Sequence, residues 1–166
     1  MVKIAFILLC HKDPEAVIEQ AERLTAAGDF TAIHFDGRAK DEHYRMLVEK
    51  LGGNPNIAFA ARRIKCGWGE WSLVEATILA VEAALKAFPK ASHFYMLSGD
   101  CMSIKSASYT KRFLDAKDAV YIEVNDALKV LGSRQESREI DYFIDIISTK
   151  VPSIGYFTKV LISSVL

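Results

Sequence analysis

The chain has 166 residues, of which 51% are apolar and 25% are charged, an ordinary composition for one soluble globular domain. Lysine and arginine together number 21, as do aspartate and glutamate, so the formal net charge is zero. This balance gives no electrostatic support for binding to nucleic acid or to an anionic membrane surface, and we expect no nucleic-acid partner.

Strands and helices alternate along the sequence. Strands are predicted at 3–10, 31–36, 56–60, 93–97 and 119–124. Helices are predicted from Asp13-Pro14 to Gly28, and at 41–51, 72–88 and 106–116. Asp13 is the expected N-cap of the first helix, while Ser72 and Glu75 form a Ser-x-x-Glu capping box in the third. The alternation predicts an α/β fold, a Rossmann-like and mostly parallel sheet flanked by helices.

Polar residues follow the predicted strands, where parallel sheets bind their ligands. Cys10-His11 follows the first strand, Asp36 the second, and Ser98-Gly99-Asp100 the fourth. Asp36 stands where nucleotide-binding α/β proteins place a carboxylate for the ribose hydroxyls. Neither GxGxxG nor GxxxxGK[ST] occurs in the sequence, so we expect a nucleotide to bind without the usual glycine-rich phosphate cradle.

Two tryptophans stand among glycines directly before the third helix, in the segment Gly67-Trp68-Gly69-Glu70-Trp71. Glycine permits close backbone approach or positive φ, and an indole offers a flat stacking face. We expect Trp68 to border a ligand and Trp71 to pack under the helix. Glu75 is assigned to helix capping rather than to catalysis.

Four segments in order resemble the core-2/I-branching enzyme family, the β-1,6-N-acetylglucosaminyltransferases and peptide O-xylosyltransferases. They are residues 4–14 (IAFILLCHKDP), 33–36 (IHFD), 67–76 (GWGEWSLVEA) and 97–106 (LSGDCMSIKS). The resemblance covers about residues 3–124. It makes residues 1–124 a nucleotide-sugar-binding α/β domain and residues 125–166 a C-terminal extension of that domain.

The resemblance implies a GT-A-like fold and inverting transfer from a UDP-sugar, UDP-GlcNAc or UDP-xylose, to a hydroxyl of a glycan or other acceptor. It implies no divalent metal, in agreement with the absence of an Asp-x-Asp motif from the sequence. By position, it assigns Asp36 to the uridine or ribose, the backbone around Cys10 and His11 to the uracil pocket, Gly67 and Trp68 to the border of the nucleotide, and Ser98, Gly99 and Asp100 to the vicinity of the donor sugar.

Two departures from the family pattern affect the prediction. The family's proline before Ile104-Lys105 is Ser103 here. The family's catalytic carboxylate and the basic pair that neutralises the leaving diphosphate belong to a C-terminal half that we expect this chain to lack, so no residue is assigned as the base. The alternative to a transferase is a truncated, non-catalytic relative that acts as a binding or interaction module. A Rossmann enzyme that uses another nucleotide is disfavoured, because the sequence lacks the GxGxxG motif.

Packing, turn formation or solvation is the competing interpretation for several residues. It is favoured for the strand histidines His34 and His93, for the thiols of Cys66 and Cys101, and for Arg62, Arg63 and Lys65. An Asp-Gly turn is the competing interpretation for Asp36, but its strand-end position and matching neighbours favour a ligand contact. For Asp100 and Lys105 the two interpretations are balanced.

The cysteine pattern bears on location. Cys10, Cys66 and Cys101 form no Cys-x-x-Cys pair and no Cys/His metal pattern, which predicts reduced thiols and a cytoplasmic protein. The apolar residues 3–10 lead into His11-Lys12 and indicate a buried strand rather than a signal peptide. No run approaches the roughly 20 apolar residues of a membrane span, which leaves peripheral association as the form of membrane contact to consider.

Overall fold

The computed structural model describes residues 2–116 and the backbone of residues 159–161. Its strands are β1 (Ile4–Cys10), β2 (Phe30–Phe35), β3 (Ile57–Phe59), β4 (His93–Ser98) and β5 (Lys159–Leu161). Its helices are α1 (Pro14–Thr25), α2 (Asp41–Leu51), α3 (Trp71–Ala87) and α4 (Ala107–Asp115). The predicted α/β class is confirmed, and the predicted strand at 119–124 lies outside the described residues.

The strands form one sheet in the order β3-β2-β1-β4-β5, and neighbouring strands are parallel. β1 is central, with Leu8 opposite Ile33 of β2 on one side and Leu97 of β4 on the other. The chain adds β2 and β3 on one side of β1 and then crosses to add β4 on the other. The topology therefore switches between β1 and β4, and a crevice for ligands is expected at the carboxyl ends of these two strands.

The core fills both faces of the sheet. On one face, Leu8 and Ile33 pack with side chains of α1 and α2, among them Val17 and Leu47. On the other face, α3 presents a stripe of fully buried alanines to the sheet, Ala76, Ala80 and Ala84. Their four-residue spacing keeps the three small side chains on one side of the helix, so that its backbone can approach the strands closely.

A buried ion pair fixes α4. The carboxylate of Asp29 is 1% exposed; its Oδ2 lies 2.9 Å from Nζ of Lys111, and its Oδ1 accepts a hydrogen bond from the N–H of Ile4 at 3.1 Å. Lys111 also donates to the carbonyl oxygen of Ala27 at 2.9 Å. These contacts tie α4 to the first residue of β1, and with it the segment from residue 99 to 106 that connects β4 to α4.

Candidate functional site

Asp36, directly after β2, joins the ends of three chain segments. Its N–H donates to the carbonyl oxygen of Cys10 at 2.8 Å. Its carboxylate accepts from the N–H of Arg38 at 2.6 Å through Oδ1, and from the N–H of Cys66 at 3.3 Å through Oδ2. One carboxylate oxygen therefore forms the turn that was the competing interpretation for Asp36. The other oxygen binds the segment before Trp68, so the strand end and the tryptophan loop meet at this residue as predicted.

The segment between β3 and the tryptophans runs close beside the end of β2. Ile64 accepts a hydrogen bond from the N–H of Gly37 at 2.7 Å and donates its own N–H to Nε2 of His34 at 3.0 Å. A Cβ at Gly37 would lie 3.1 Å from the carbonyl carbon of Ile64, closer than most Cβ contacts, so glycine eases this approach. His34 is 2% exposed, which agrees with the packing role expected for it.

The expectation that Arg63 is a solvated residue is wrong. Its side chain is only 16% exposed and forms an ion pair with Asp41 at 2.6 Å. Its guanidinium donates to the backbone oxygens of Phe35, Asp36 and Ala39 at 3.2, 2.8 and 2.6 Å. A planar group with five N–H donors can satisfy several carbonyls at once, so Arg63 shapes the turn that carries Asp36.

The predicted capping box at the start of α3 is also wrong. The helix begins at Trp71, and Ser72 lies inside its first turn rather than at the cap. The Ser72 hydroxyl instead accepts a hydrogen bond from the N–H of Gly67 at 2.9 Å, while Glu75 forms an ion pair with Arg62. Ser72 therefore closes the tryptophan loop, residues 66–71, back onto the helix that follows it.

The two tryptophans differ in exposure. Trp68, predicted to border a ligand, is 95% exposed, and the neighbouring Gly67 is buried with its space filled by the Glu70 carboxylate. Trp71, expected to pack under the helix, is 45% exposed and so only partly covered. The open indole face of Trp68 is available for stacking against a planar ligand.

The loop after β4 lies against the end of β1, at the point where the topology switches. Gly99 donates its N–H to the carbonyl oxygen of Leu9 at 2.9 Å, and Nζ of Lys12 lies 3.3 Å from Oδ1 of Asp100. His11, between these contacts in sequence, is exposed. The predicted donor-sugar residues, Ser98 to Asp100, thus adjoin the Cys10-His11 turn on the side of β1 opposite to Asp36.

The family model for the core-2/I-branching enzymes matches residues 4–157 of the chain. The chain belongs to the core-2/I-branching enzyme family. The match confirms the predicted family and the glycosyltransferase class. It also extends beyond residue 124, where the resemblance noted in the sequence ended. A search of curated proteins finds no match. The parallel sheet with helices on both faces agrees with the GT-A-like fold implied by the family.

Two cysteine thiols of this core-2/I-branching protein are poor nucleophiles. Burial raises the pKa of Cys10 to about 12. Burial and, to a smaller extent, the negative charge of Asp36 raise the pKa of Cys66 to about 11. Since only the thiolate is reactive, the raised pKa values disfavour a nucleophilic role for both side chains near neutral pH.

Neither a metal cluster nor a membrane-spanning helix stands out in the part of the chain that the structure describes. Across residues 2–116, no group of three or more histidine, cysteine, aspartate or glutamate side chains has the arrangement needed to hold a metal ion. Over the same residues, none of the helices combines the length and apolar character required to cross a bilayer.

Gln20 is a residue that the sequence did not single out. It lies on α1, and its Nε2 donates to the carbonyl oxygens of Cys101 and Ser98, at 2.6 and 3.3 Å. Together with the 99–105 segment it lines a cavity of about 910 Å³ between α1, β4 and α4. No local sequence pattern predicts this role, because glutamine is common on surface helices and the two acceptors of Gln20 are about 80 residues away in the chain.

Proposed function

We propose that this core-2/I-branching protein binds the nucleotide of a UDP-sugar along the edge formed by Cys10, His11, Asp36, Gly67 and Trp68. The observation that carries the proposal is the set of hydrogen bonds made by Asp36, to Cys10 through its N–H and from Cys66 through its carboxylate. These bonds gather the segments that the family resemblance assigns to the nucleotide. Each carboxylate oxygen keeps a lone pair for a ribose or uracil donor.

The donor sugar then lies across β1 from the uridine, beside Ser98, Gly99 and Asp100. This placement is supported by the contact between the loop after β4 and the end of β1. Lys12 brings a positive charge to the same boundary, where a diphosphate linking uridine to sugar would pass. An ammonium group there would offset part of the negative charge of the leaving UDP.

The proposed reaction is inverting transfer of N-acetylglucosamine or xylose. An acceptor hydroxyl of a glycan attacks the anomeric carbon, the bond from that carbon to the diphosphate oxygen breaks, and UDP leaves with the electron pair. We propose that the reaction proceeds without a divalent metal, in the cytoplasm. The base that takes the hydroxyl proton is unassigned.

Binding of UDP tests this proposal. We expect millimolar UDP, in the presence of EDTA, to raise the melting temperature of the wild-type protein. Asp36→Asn keeps an oxygen for the turn but turns an N–H donor toward the N–H of Cys66, so the shift should be lost. Asp115→Asn, at the exposed end of α4, is the matched control and should retain it. If UDP does not change the melting temperature of the wild-type protein, the proposed donor site is refuted.

The second candidate is a binding module without catalysis. Its ground is that no carboxylate among the described residues is assigned as the base; that of Glu75 on α3 forms an ion pair with Arg62. Release of UDP from UDP-GlcNAc or UDP-xylose in the presence of hydroxyl acceptors separates the two candidates. Turnover supports the transferase, whereas tight UDP binding with no release supports the module.

A further inference from the structure

The loop after β4 is held at both ends by one side chain. Nε2 of Gln20 donates to the carbonyl oxygen of Ser98 at 3.3 Å and to that of Cys101 at 2.6 Å. These two carbonyls bracket Gly99 and Asp100. A primary amide nitrogen carries two hydrogens, so Gln20 can serve both acceptors at the same time. Leucine or methionine at this position could serve neither.

Gln20 is itself fixed relative to the core. Its neighbours in α1, Val17, Ala21 and Leu24, are buried against the sheet. Its Oε1 is shielded from solvent and has no hydrogen-bond partner among the described residues, so the amide orientation is set by the two bonds from Nε2. The side chain therefore transmits the position of a packed helix to an exposed loop.

The loop has other contacts, but they fix different parts of it. Gly99 donates to Leu9, which holds the first residues against β1, and the N–H of Cys101 donates to the carbonyl oxygen of Ser98 at 3.1 Å, which closes the turn locally. The bonds from Gln20 are the ones that connect both ends of the turn to a helix on the face of the sheet. Without them the turn can still form, but its orientation against α1 is no longer set.

We propose that Gln20 is a positioning residue that orients the Ser98–Cys101 loop and thereby sets the preference of the protein among donor sugars. This inference rests on the proposed function, because it takes the loop as the wall facing the sugar. The uridine wall around Asp36 lies on the other side of β1 and makes no contact with Gln20. A change at Gln20 should therefore alter recognition of the sugar and leave recognition of the nucleotide intact.

Isothermal titration with UDP, UDP-GlcNAc and UDP-xylose tests the inference. In Gln20→Met, a substitution of similar size without donors, the affinity for UDP should stay within about twofold of wild type. The preferred sugar nucleotide should bind about three- to tenfold more weakly, the effect of losing the net energy of about one hydrogen bond. Glu22→Met, at an exposed position of the same helix, is the control and should match wild type in all three titrations.

A second variant guards against a purely structural effect. Gln20→Glu keeps the shape of the side chain but sets a carboxylate oxygen against two carbonyl oxygens, so it should lose the sugar preference at neutral pH. In both variants, amide hydrogen exchange should quicken at Gly99 and Asp100 and stay unchanged at Cys66. Equal losses for UDP and both sugar nucleotides, or unchanged affinities, would overturn the role of Gln20.

The wild-type titrations separate this inference from the proposed function. A wild-type protein that binds UDP and both sugar nucleotides with one affinity has no sugar preference for Gln20 to set, which overturns the inference while the nucleotide site stands. Absence of UDP binding in the wild type overturns the proposed function, and the inference with it.

Discussion

Gly99 lies so close to Cys10 that a Cβ at position 99 would stand 2.9 Å from the Cβ of Cys10. Real Cβ atoms almost never approach so closely, so the loop after β4 can adopt this position only with glycine. Cys10 is the last residue of β1 and Gly99 the first residue after β4. The absence of a side chain therefore brings the two proposed halves of the donor site together at the topological switch point.

Gly99→Ala should damage both stability and donor binding. The added methyl must displace the end of β1 or the loop, and such overpacking costs about 1–3 kcal/mol of unfolding free energy. Urea unfolding measures this cost, and titration with a sugar nucleotide measures the loss of binding. Gly53→Ala is the control, since a Cβ there meets nothing within 4 Å and its effect should be within about 0.5 kcal/mol. Equal stabilities for the two variants would contradict the contact.

Arg63→Met should be among the more destabilising substitutions on the carboxyl edge. It removes the guanidinium donor from three backbone oxygens, of which that of Asp36 still accepts from the N–H of Ala39, and it also removes the ion pair with Asp41. We expect a loss of about 2–4 kcal/mol in urea unfolding. Arg63→Lys should lose less, because an ammonium group keeps the charge but cannot span the same acceptors. Arg62→Met breaks only a solvent-exposed pair with Glu75 and should cost less than about 1 kcal/mol. A smaller loss for Arg63→Met than for Arg62→Met would refute the buried role.

The sequence predicted the elements and the site edge better than it predicted the side chains that hold them. Apolar runs and turn residues placed the ends of the first, second and fourth strands at Cys10, Asp36 and Leu97, within one residue of the observed ends, because these signals are local. The roles of Arg63 and Gln20 depend on carbonyl oxygens that only folding brings near, and no local pattern encodes them. The Ser-x-x-Glu pattern of the third helix gave a wrong prediction of a capping box, because the Ser72 hydroxyl accepts a hydrogen bond from Gly67 in the preceding loop and not from the helix itself.

Ser72→Ala should loosen the tryptophan loop and leave α3 intact. The hydroxyl accepts from the N–H of Gly67, so its removal exposes that amide, and its hydrogen exchange should quicken with a stability loss of about 1 kcal/mol. Exchange at the amides of the first turn of α3 should stay at the wild-type rate. Thr77→Ala, in the same helix, is the control and should leave the Gly67 amide protected. If Ser72→Ala instead quickens exchange in the first turn of α3 and leaves the Gly67 amide protected, Ser72 caps the helix after all.

The raised pKa of Cys10 predicts a loss of stability in alkali. Burial lifts the pKa from 9.0 to about 12, so the folded protein retains a proton that the unfolded chain releases above pH 9. This stabilising contribution is complete below pH 9 and falls by about 1.4 kcal/mol per pH unit as the pH rises toward 12. Unfolding free energies of wild type and Cys10→Ala, measured from pH 8 to 10.5, should therefore converge as the pH increases. Parallel curves would show that the thiol does not titrate with the unfolded chain.

His34 predicts the opposite behaviour in acid. Burial lowers its pKa below the ordinary 6.5, against a smaller opposing effect of Asp36, so the folded protein holds the ring neutral while the unfolded chain takes up a proton. The resulting stabilisation is complete above pH 6.5 and is lost as the pH falls through the folded-state pKa. Protonation also places a ring N–H against the N–H of Ile64, which would release the segment leading to the tryptophan loop.

Glutamine at position 34 can accept from Ile64 but does not titrate, so His34→Gln should remove part of the acid dependence. We expect the unfolding free energy of wild type to decline more steeply than that of His34→Gln between pH 6.5 and 4.5. Hydrogen exchange at the Ile64 amide, followed over the same range, reports the release of the segment that leads to the tryptophan loop. His43→Gln, at a half-buried position on α2, should follow the wild-type curve. If His34→Gln and wild type have the same slope, the buried ring is not the group that sets the acid limit.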